Sequence, residues 1–283
     1  MSVSVDDTAA RALRETMRVL CWIPACESDI KKLSLQAINE TWVQRCDGHV
    51  FFIETDSSSA WPDVISLGLA QESYNHLTEK TQVAIAYLYQ RYLNEYDWFL
   101  KADVNSYVIM ENLRLLLSRY DPKNPVYLGQ LYNGIWGGPG FMGGGAGYAL
   151  SREALRQMVD QGYRKGLCST EYYNHAEDKH VGECLYKIGV GRHYSLDVHG
   201  RESFHMDGPL QMIAGPLTDA MRRFFYFPQS TGPECCSEAT ISFHGLTPET
   251  IRVLENLVYR ISVYGRQQNI TYLQKLFVPK QIW

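Results

Sequence analysis

The chain has 283 residues, 45% of them hydrophobic, which is enough to bury one large core, and no linker-like stretch divides it. Its formal net charge of −4 and isoelectric point near 6.1 argue against a nucleic-acid partner, which requires a basic surface. The sequence lacks the apolar run of about 18 residues that a membrane span needs, and its polar first residues are unlike a signal peptide. We therefore expect one domain over residues 18–283, preceded by a stem or frayed segment over residues 1–17.

Strand-like and helix-like stretches alternate along the chain, which predicts an α/β fold. In chain order, the predicted elements are the strand Met17–Ile23, the helix Lys31–Arg45, the strand Val50–Ile53, the loop Ser57–Asp63, the helix Thr78–Glu95, the strand Asp97–Leu100, the helix Met110–Tyr120, the strand Pro125–Gly129, a helix capped by Ser151, a helix opening near His175 and a helix Glu249–Tyr259.

The predicted strand Asp97–Leu100 leads into two short polar side chains, Asp103 and Asn105. Ligands of α/β sheets bind at the carboxyl ends of strands, and an Asp-x-Asp at such a position holds Mn²⁺ or Mg²⁺ beside a diphosphate. An asparagine in second place still offers one neutral oxygen but removes a negative charge. The other interpretation is a polar turn after a strand, which Asp and Asn commonly form.

Two further stretches have the composition of a ligand site. The glycine-rich run over residues 137–147 allows the backbone to approach a ligand, although a hairpin before a helix has the same composition and no phosphate-loop lysine is present. Glu177 and Asp178 begin a helix, where carboxylates ordinarily complement the helix dipole. A carboxylate beside a glycine-rich loop is also where an inverting transferase needs its general base, so both interpretations stay open.

The cysteines and sequons bear on the compartment. The seven cysteines are Cys21, Cys26, Cys46, Cys168, Cys184, Cys235 and Cys236. An odd number leaves at least one unpaired, and no pair has the spacing of a zinc or redox motif. Since vicinal cysteines rarely bond each other, we expect Cys235 and Cys236 to bond separate partners. The sequons at Asn39 and Asn269 would be used only in the secretory pathway.

Several motifs in the same order resemble the core 1 β1,3-galactosyltransferase (T-synthase) group of the fringe-like glycosyltransferases, over roughly residues 18 to 266. The matching segments are residues 18–22 (RVLCW), 41–46 (TWVQRC), 97–103 (DWFLKAD), 143–151 (GGGAGYALS), 177–178 (ED), 235–237 (CCS) and 242–244 (SFH).

The resemblance implies a GT-A-like (Rossmann-like) α/β fold with a mixed central sheet flanked by helices. It implies UDP-galactose as donor, Ser/Thr-linked GalNAc on a glycoprotein as acceptor, Mn²⁺ as cofactor, and Asp178 as the catalytic base. We expect the Golgi or ER lumen as location, a type II anchor absent from this chain, and a homodimer or a heterodimer with a related transferase. The expected donor-binding residues are Lys101, Asp103, Asn105, Gly144, Gly145 and Glu177.

The sequence departs from the group at its metal site. Asp103-Val104-Asn105 replaces three consecutive aspartates, and a Glu-His-His segment that supplies a histidine is replaced around Leu210-Gln211-Met212. We therefore expect altered metal dependence, with Asp103, Asn105 and His205 as the metal-ligand candidates, and we interpret His244 as a structural histidine.

Two other functions remain compatible with the residues. A chaperone specific for T-synthase looks like the transferase, has lost the aspartate motif and is inactive, so an inactive transferase-like chaperone is the alternative to the enzyme. A sugar-binding module without either role is the third hypothesis.

Overall fold

The computed structural model describes residues 7–54, 63–70, 73–134, 138–168, 176–261 and 275. The predicted loop Ser57–Asp63 except its last residue, the start of the glycine-rich run at Gly137, the helix opening at His175 and the sequon at Asn269 lie outside these residues.

The strands within the described residues are β1 (Val19–Pro24), β2 (Gly48–Phe52), β3 (Val64–Ile65), β4 (Trp98–Lys101), β5 (Tyr107–Val108), β6 (Tyr127–Gly129), β7 (Leu131–Tyr132), β8 (Phe141–Met142), β9 (Tyr148–Ser151), β10 (Arg192–Tyr194), β11 (Phe204–His205) and β12 (Ser242–Phe243). The α-helices are α1 (Thr8–Thr16), α2 (Glu27–Lys31), α3 (Ser34–Asn39), α4 (Leu77–Tyr92), α5 (Met110–Leu117), α6 (Arg152–Gln157), α7 (Glu177–Lys187), α8 (Asp219–Phe224) and α9 (Pro248–Tyr259).

A mixed sheet forms the centre of the fold, with the strand order β10-β6-β9-β4-β1-β2-β3. Strand β9 runs antiparallel to its neighbours β4 and β6, whereas the other strand pairs are parallel. The predicted α/β fold with a mixed central sheet flanked by helices is confirmed. The antiparallel insertion of β9 was not predicted, because residues 148–150 were assigned only to the approach to the next helix.

Both faces of this sheet are buried, which explains why its central strand is apolar throughout. Side chains of successive β1 residues point to opposite faces. Val19, Cys21 and Ile23 pack in a core with α3, α5 and α9, while Leu20 and Trp22 pack with α4, α6 and α7. Full burial of one such aliphatic side chain stabilises the fold by about 1.5–3 kcal/mol.

Two small sheets and a separate apolar cluster lie beyond the main sheet. Strand β12 pairs with β11 and β5, and β7 pairs with β8. The cluster contains Tyr132, Phe141, Met212, Leu217, Phe225 and Cys235. This apolar cluster packs together chain segments that lie between β6 and β12 in the sequence.

The predicted helix Lys31–Arg45 is wrong as one element. The structure has α2, α3 and a 3₁₀ turn over Trp42–Arg45 instead. Leu33 adopts a left-handed conformation with φ of 61° between α2 and α3, which ends the first helix. Leu35 and Ile38 of α3, and Trp42 of the following turn, are all fully buried in the core.

The helix starts predicted from capping residues agree with the structure. Ser151 Oγ accepts a hydrogen bond of 3.1 Å from the Ala154 amide at the start of α6. The last helix begins at Pro248 after the N-cap Thr247, close to the predicted Glu249. Its Glu255 accepts hydrogen bonds of 2.6 and 3.1 Å from the Arg45 guanidinium, so a buried ion pair attaches α9 to the core.

The disulfides correct one prediction. Cys21 bonds Cys46, Cys168 bonds Cys184, and the vicinal pair Cys235–Cys236 is bonded to itself. The expectation that the vicinal cysteines have separate partners is wrong, because the other bonded cysteines pair among themselves. Cys26 has the free thiol that the odd count requires.

The N-terminal segment contains α1, whose Arg14 forms an ion pair of 3.2 Å with Asp47. The division into a stem over residues 1–17 and one domain over 18–283 stays a prediction. In the part of the chain that the structure describes, no helix combines the length and the apolar character needed to cross a bilayer.

Candidate active site

The polar segments singled out in the sequence meet at one edge of the main sheet. Lys101, at the carboxyl end of β4, lies beside Tyr148 at the start of β9, and Tyr148 lies beside Gly129 at the end of β6. Asp103 therefore follows β4 at the same edge where the glycine-rich loop enters β9. This is the edge at which α/β sheets bind ligands.

Lys101 lies at the centre of this edge and is almost completely buried, with 1% of its side chain exposed. Its Nζ contacts Asp103 Oδ1 at 2.7 Å, Glu177 Oε1 at 2.9 Å and the Gly144 carbonyl oxygen at 3.1 Å. An ammonium has three N–H donors, so all of them have partners inside the protein. The second oxygen of Glu177 accepts a hydrogen bond of 3.1 Å from the Tyr148 hydroxyl.

Burial and charge act differently on the two carboxylates that share Lys101. Burial alone would raise the pKa of Asp103, but the Lys101 ammonium and His244 outweigh it and lower the pKa to about 2. Burial raises the pKa of Glu177 to about 7 in spite of Lys101. The pKa of Lys101 itself would fall through burial but is raised by its two carboxylate neighbours. Asp103 is thus the carboxylate that stays ionised over the widest pH range.

Asp178 is half-buried in the first turn of α7 and faces the glycine-rich loop. Its Oδ2 accepts a hydrogen bond of 2.8 Å from the Gly144 amide, and its Oδ1 accepts one of 2.8 Å from the Lys179 amide. The carboxylate is therefore held in one orientation by two main-chain donors. A β-carbon at Gly144 would overlap Glu177 Oε1, so the loop can lie this close to α7 only with glycine there.

His244, interpreted from the sequence as a structural histidine, lies beside Asp103. Its Nε2 lies 3.5 Å from Asp103 Oδ2, and its Nδ1 lies 3.0 Å from the Met206 carbonyl oxygen. A carbonyl oxygen only accepts, so Nδ1 carries the hydrogen; Nε2 donates to Asp103 when the ring is protonated and presents its lone pair when the ring is neutral. Gly145 makes room for the ring, since a β-carbon there would lie 2.7 Å from His244 Cε1.

His205, the predicted histidine ligand, is not brought to this edge. Its ring is completely buried, stacks on Phe243 and has Thr240 Oγ1 at 3.3 Å as its hydrogen-bond neighbour. Burial lowers the pKa of His205 to about 3, so the ring is neutral. The role of His205 as a metal ligand stays a prediction, and this geometry does not support it. No local signal in the sequence distinguished His244 from His205, since each follows an apolar strand residue.

The turn that contains Asp103 and Asn105 is fixed by its neighbours. Asn105 is half-buried, and its carbonyl oxygen accepts a hydrogen bond of 2.9 Å from the Leu246 amide. The Trp42 indole donates to the Ser106 carbonyl oxygen at 2.9 Å, and Ser106 Oγ donates to the Gly145 carbonyl oxygen at 3.0 Å. These contacts connect the turn after β4 to the glycine-rich loop.

The donor set at this edge fits a divalent cation with few protein ligands. Within the described ranges, no three His, Cys, Asp or Glu side chains come together as a metal cluster. Asp103 Oδ2 and His244 Nε2 lie 3.5 Å apart with Asn105 in the same turn as Asp103, and carboxylate and imidazole groups are both ligands of divalent cations. The Met206 carbonyl oxygen orients the imidazole as the outer partners of metal-bound histidines do.

Comparison with known proteins identifies the family. The family model described as fringe-like matches residues 26–256, which contain all of the site residues described above. The chain belongs to the fringe-like family. Its members are GT-A-like glycosyltransferases, in agreement with the mixed sheet and the position of the site.

This chain covers different shares of the length of its individual relatives. The chain is 36% identical over 268 residues to glycoprotein-N-acetylgalactosamine 3-beta-galactosyltransferase 1 of Xenopus laevis, covering 93% of this chain and 72% of the relative. It is 32% identical over 170 residues to chondroitin sulfate synthase 3 of Mus musculus, of which it spans 19%. A beta-1,3-glucosyltransferase of Mus musculus is 27% identical over 184 residues, 36% of its length. The resemblance to the core 1 galactosyltransferase group is confirmed.

Proposed function

We propose that this protein is an inverting glycosyltransferase that moves galactose from UDP-galactose to the 3-hydroxyl of Ser/Thr-linked GalNAc on glycoproteins. The similarity over nearly the whole chain to a glycoprotein-N-acetylgalactosamine 3-beta-galactosyltransferase supports the donor and acceptor classes. The observation that carries the proposal is the Asp178 carboxylate, which the Gly144 amide holds at the same sheet edge as Asp103 and His244.

Asp178 acts as the general base in this proposal. It accepts the proton of the acceptor 3-hydroxyl while that oxygen forms a bond to C1 of galactose, and the bond from C1 to the diphosphate breaks with its electron pair leaving on UDP. Attack from the face opposite UDP inverts C1 in one step. The carboxylate oxygens already accept main-chain hydrogen bonds, so no rotation is needed to reach this orientation.

Asp103 and His244 are the residues that would hold Mn²⁺, with Asn105 as a neutral third neighbour. A bound divalent cation would neutralise the negative charge that develops on the departing diphosphate. Because Asn105 supplies no charge, we propose weaker metal dependence than an Asp-x-Asp site gives. Gly144 and Gly145 line the same edge with main chain, and we propose that the donor diphosphate lies along it.

We propose the Golgi or ER lumen as the location, since disulfides such as Cys21–Cys46 and Cys168–Cys184 persist in oxidising compartments. The partners in this proposal are the sugar nucleotide and a GalNAc-bearing glycoprotein. Assembly with a second copy or with a related transferase is part of the same proposal.

Replacement of Asp178 tests the reaction. Asp178→Asn keeps the acceptor for the Gly144 amide but cannot take a proton, so we expect kcat for transfer to a GalNAc-peptide to fall about 10²–10⁴-fold. UDP binding, measured by calorimetry, should stay within experimental error of wild type. Glu183→Gln is the matched control, because Glu183 lies on α7 and pairs with Lys179 at 3.5 Å. If turnover is unchanged in the Asp178 variant, the Asp178 carboxylate is not the general base and only complements the helix dipole.

The same assay separates the enzyme from the chaperone alternative. If wild type transfers no sugar but raises the yield of a co-expressed active transferase, the chaperone function replaces the one proposed.

A further inference from the structure

Lys101 and Glu177 were expected to bind the donor, but both side chains are buried and already bonded to groups within the protein. The side chains of Lys101 and Glu177 are 1% and 3% exposed. The three N–H donors of Lys101 bond Asp103, Glu177 and the Gly144 carbonyl oxygen, and the second oxygen of Glu177 accepts from the Tyr148 hydroxyl. Neither side chain can contact a sugar nucleotide directly while these bonds exist.

Both residues are nevertheless next to the reacting groups. Lys101 lies two positions before Asp103, and Glu177 immediately precedes Asp178. One route of contacts runs from Asp103 through Lys101 to Glu177 and along the main chain to Asp178. A second route runs from Lys101 to the Gly144 carbonyl oxygen, and the amide of the same glycine donates a hydrogen bond to Asp178. The ion pair therefore closes a ring of contacts through Lys101, Glu177, Asp178 and Gly144, and Asp103 is bonded to this ring at Lys101.

We propose that Lys101 and Glu177 are positioning residues, a buried ion pair that fixes Asp103 and Asp178 relative to each other and sets the charge that Asp103 presents to a cation. The inference rests on the proposed transferase function. Removal of one member of a buried ion pair leaves the charge of the other member uncompensated. Here Lys101, if it loses Glu177, has only the site carboxylate Asp103 as its counter-charge. Loss of the Glu177 charge leaves Lys101 to Asp103 alone, which makes the cation side less negative.

Glu177→Gln is the first variant, because glutamine keeps the shape of the side chain and one oxygen for Lys101. We expect Mn²⁺ affinity in the presence of UDP, measured by calorimetry, to fall about 10–100-fold, the usual effect of losing an outer partner of a metal site. The kcat for transfer should fall by a similar factor, while UDP affinity in the presence of a chelator stays at the wild-type value.

The double variant Lys101→Met, Glu177→Gln separates charge from position. It has the same net charge as the wild-type cluster, so Mn²⁺ affinity should return to within about threefold of wild type. The kcat should stay low, because no ammonium holds the Gly144 carbonyl oxygen. If affinity and kcat recover together, the pair acts through charge alone and the positioning role is overturned.

Glu255→Gln is the control, since it breaks a half-buried ion pair with Arg45 outside the site. It should lose stability and keep the wild-type kcat and Mn²⁺ affinity. Should Glu177→Gln fail to fold, Glu177→Asp decides the question, because it keeps the charge and withdraws the carboxylate by one methylene. A lowered kcat with retained Mn²⁺ affinity supports positioning, and a wild-type kcat overturns it.

The outcomes for the two proposals are distinct. If wild type transfers galactose and Glu177→Gln has wild-type kcat and Mn²⁺ affinity, the pair is only structural and the proposed function stands. If wild type transfers no sugar, the proposed function fails. In that case a lower Mn²⁺ affinity in Glu177→Gln still supports the charge coupling, and unchanged or absent Mn²⁺ binding overturns it.

Discussion

A single methyl group at Gly144 should disturb the site without removing any of its functional groups. The β-carbon of Gly144→Ala would overlap Glu177 Oε1 and would lie 3.1 Å from Asp178 Cβ and 3.2 Å from Lys101 Nζ. The Glu177 oxygen must move by about 1 Å to restore ordinary van der Waals separation. That movement stretches the 2.9 Å contact to Lys101 and pushes α7 away from the loop that holds Asp178.

The expected magnitude follows from these contacts. Overpacking a filled interior costs about 1–3 kcal/mol of unfolding free energy. Displacing a reacting group by about 1 Å costs on the order of 10²-fold in rate. We therefore expect kcat for galactose transfer to fall about 100-fold, equivalent to about 2.7 kcal/mol in activation free energy.

Steady-state kinetics with UDP-galactose and a GalNAc-peptide, together with denaturant unfolding, check this expectation. Gly208→Ala is the matched control, because its β-carbon would meet the flexible end of Leu246 at 3.0 Å and, of the site residues, only the main-chain oxygen of His244 at an ordinary contact distance of 3.7 Å. It should keep the wild-type kcat. If Gly144→Ala also keeps both the wild-type kcat and the wild-type unfolding free energy, the loop is not packed against α7 as described, and the reasoning about Asp178 fails with it.

Three further changes have defined outcomes. Asn105→Asp adds a charge beside Asp103, so Mn²⁺-stimulated transfer should rise with a lower donor KM; unchanged Mn²⁺ dependence would remove this residue from the cation side. Glu255→Gln should lower the unfolding free energy by about 1–3 kcal/mol, because the half-buried Arg45 loses its 2.6 Å partner and keeps only Glu111 at 4.0 Å, whereas Glu40→Gln, in an exposed pair, should cost less than about 1 kcal/mol in the same denaturant titration. Burial raises the pKa of Glu202 to about 7 against the hydrogen bonds that it accepts. The folded protein therefore binds a proton that the unfolded chain releases above about pH 4.5, so this stabilisation is complete below about pH 4.5 and is lost as pH rises through about 7. Glu202→Gln should flatten that pH dependence, and a wild-type profile in the variant would assign the slope to other groups.

Local patterns in the sequence were sufficient for the elements that lead to the site. The apolar run over residues 98–100 predicted β4, the polar residues after it predicted a strand end, and Ser151 predicted the start of α6. Glu177 and Asp178 do lie in a first helical turn, as predicted. These features depend on residues within a few positions of one another, where side-chain periodicity and capping act directly.

Packing between distant segments decided what the sequence left open or misassigned. Leu33, in a left-handed conformation, breaks a predicted helix, and α3 and the turn that contains Trp42 both pack into the core on that side of the sheet. Similarly, β9 inserts antiparallel between β4 and β6, which places Tyr148 beside Lys101. No local periodicity reports which strand will become a neighbour, since that depends on how all of the strands share the sheet.

The site itself shows the same division. Local pattern selected Asp103, Asn105 and the Glu177–Asp178 pair, because carboxylates and amides at strand ends and helix starts are recognisable one segment at a time, whereas Lys101 and a histidine ligand were expected only from the resemblance to the family. Only the tertiary structure chose His244 over His205, since both follow apolar residues and differ only in whether the ring faces the core or the sheet edge. It also placed Lys101 inside, where its charge is balanced by Glu177 from a distant helix, because a buried ammonium requires carboxylate partners that only the folded chain can bring to it.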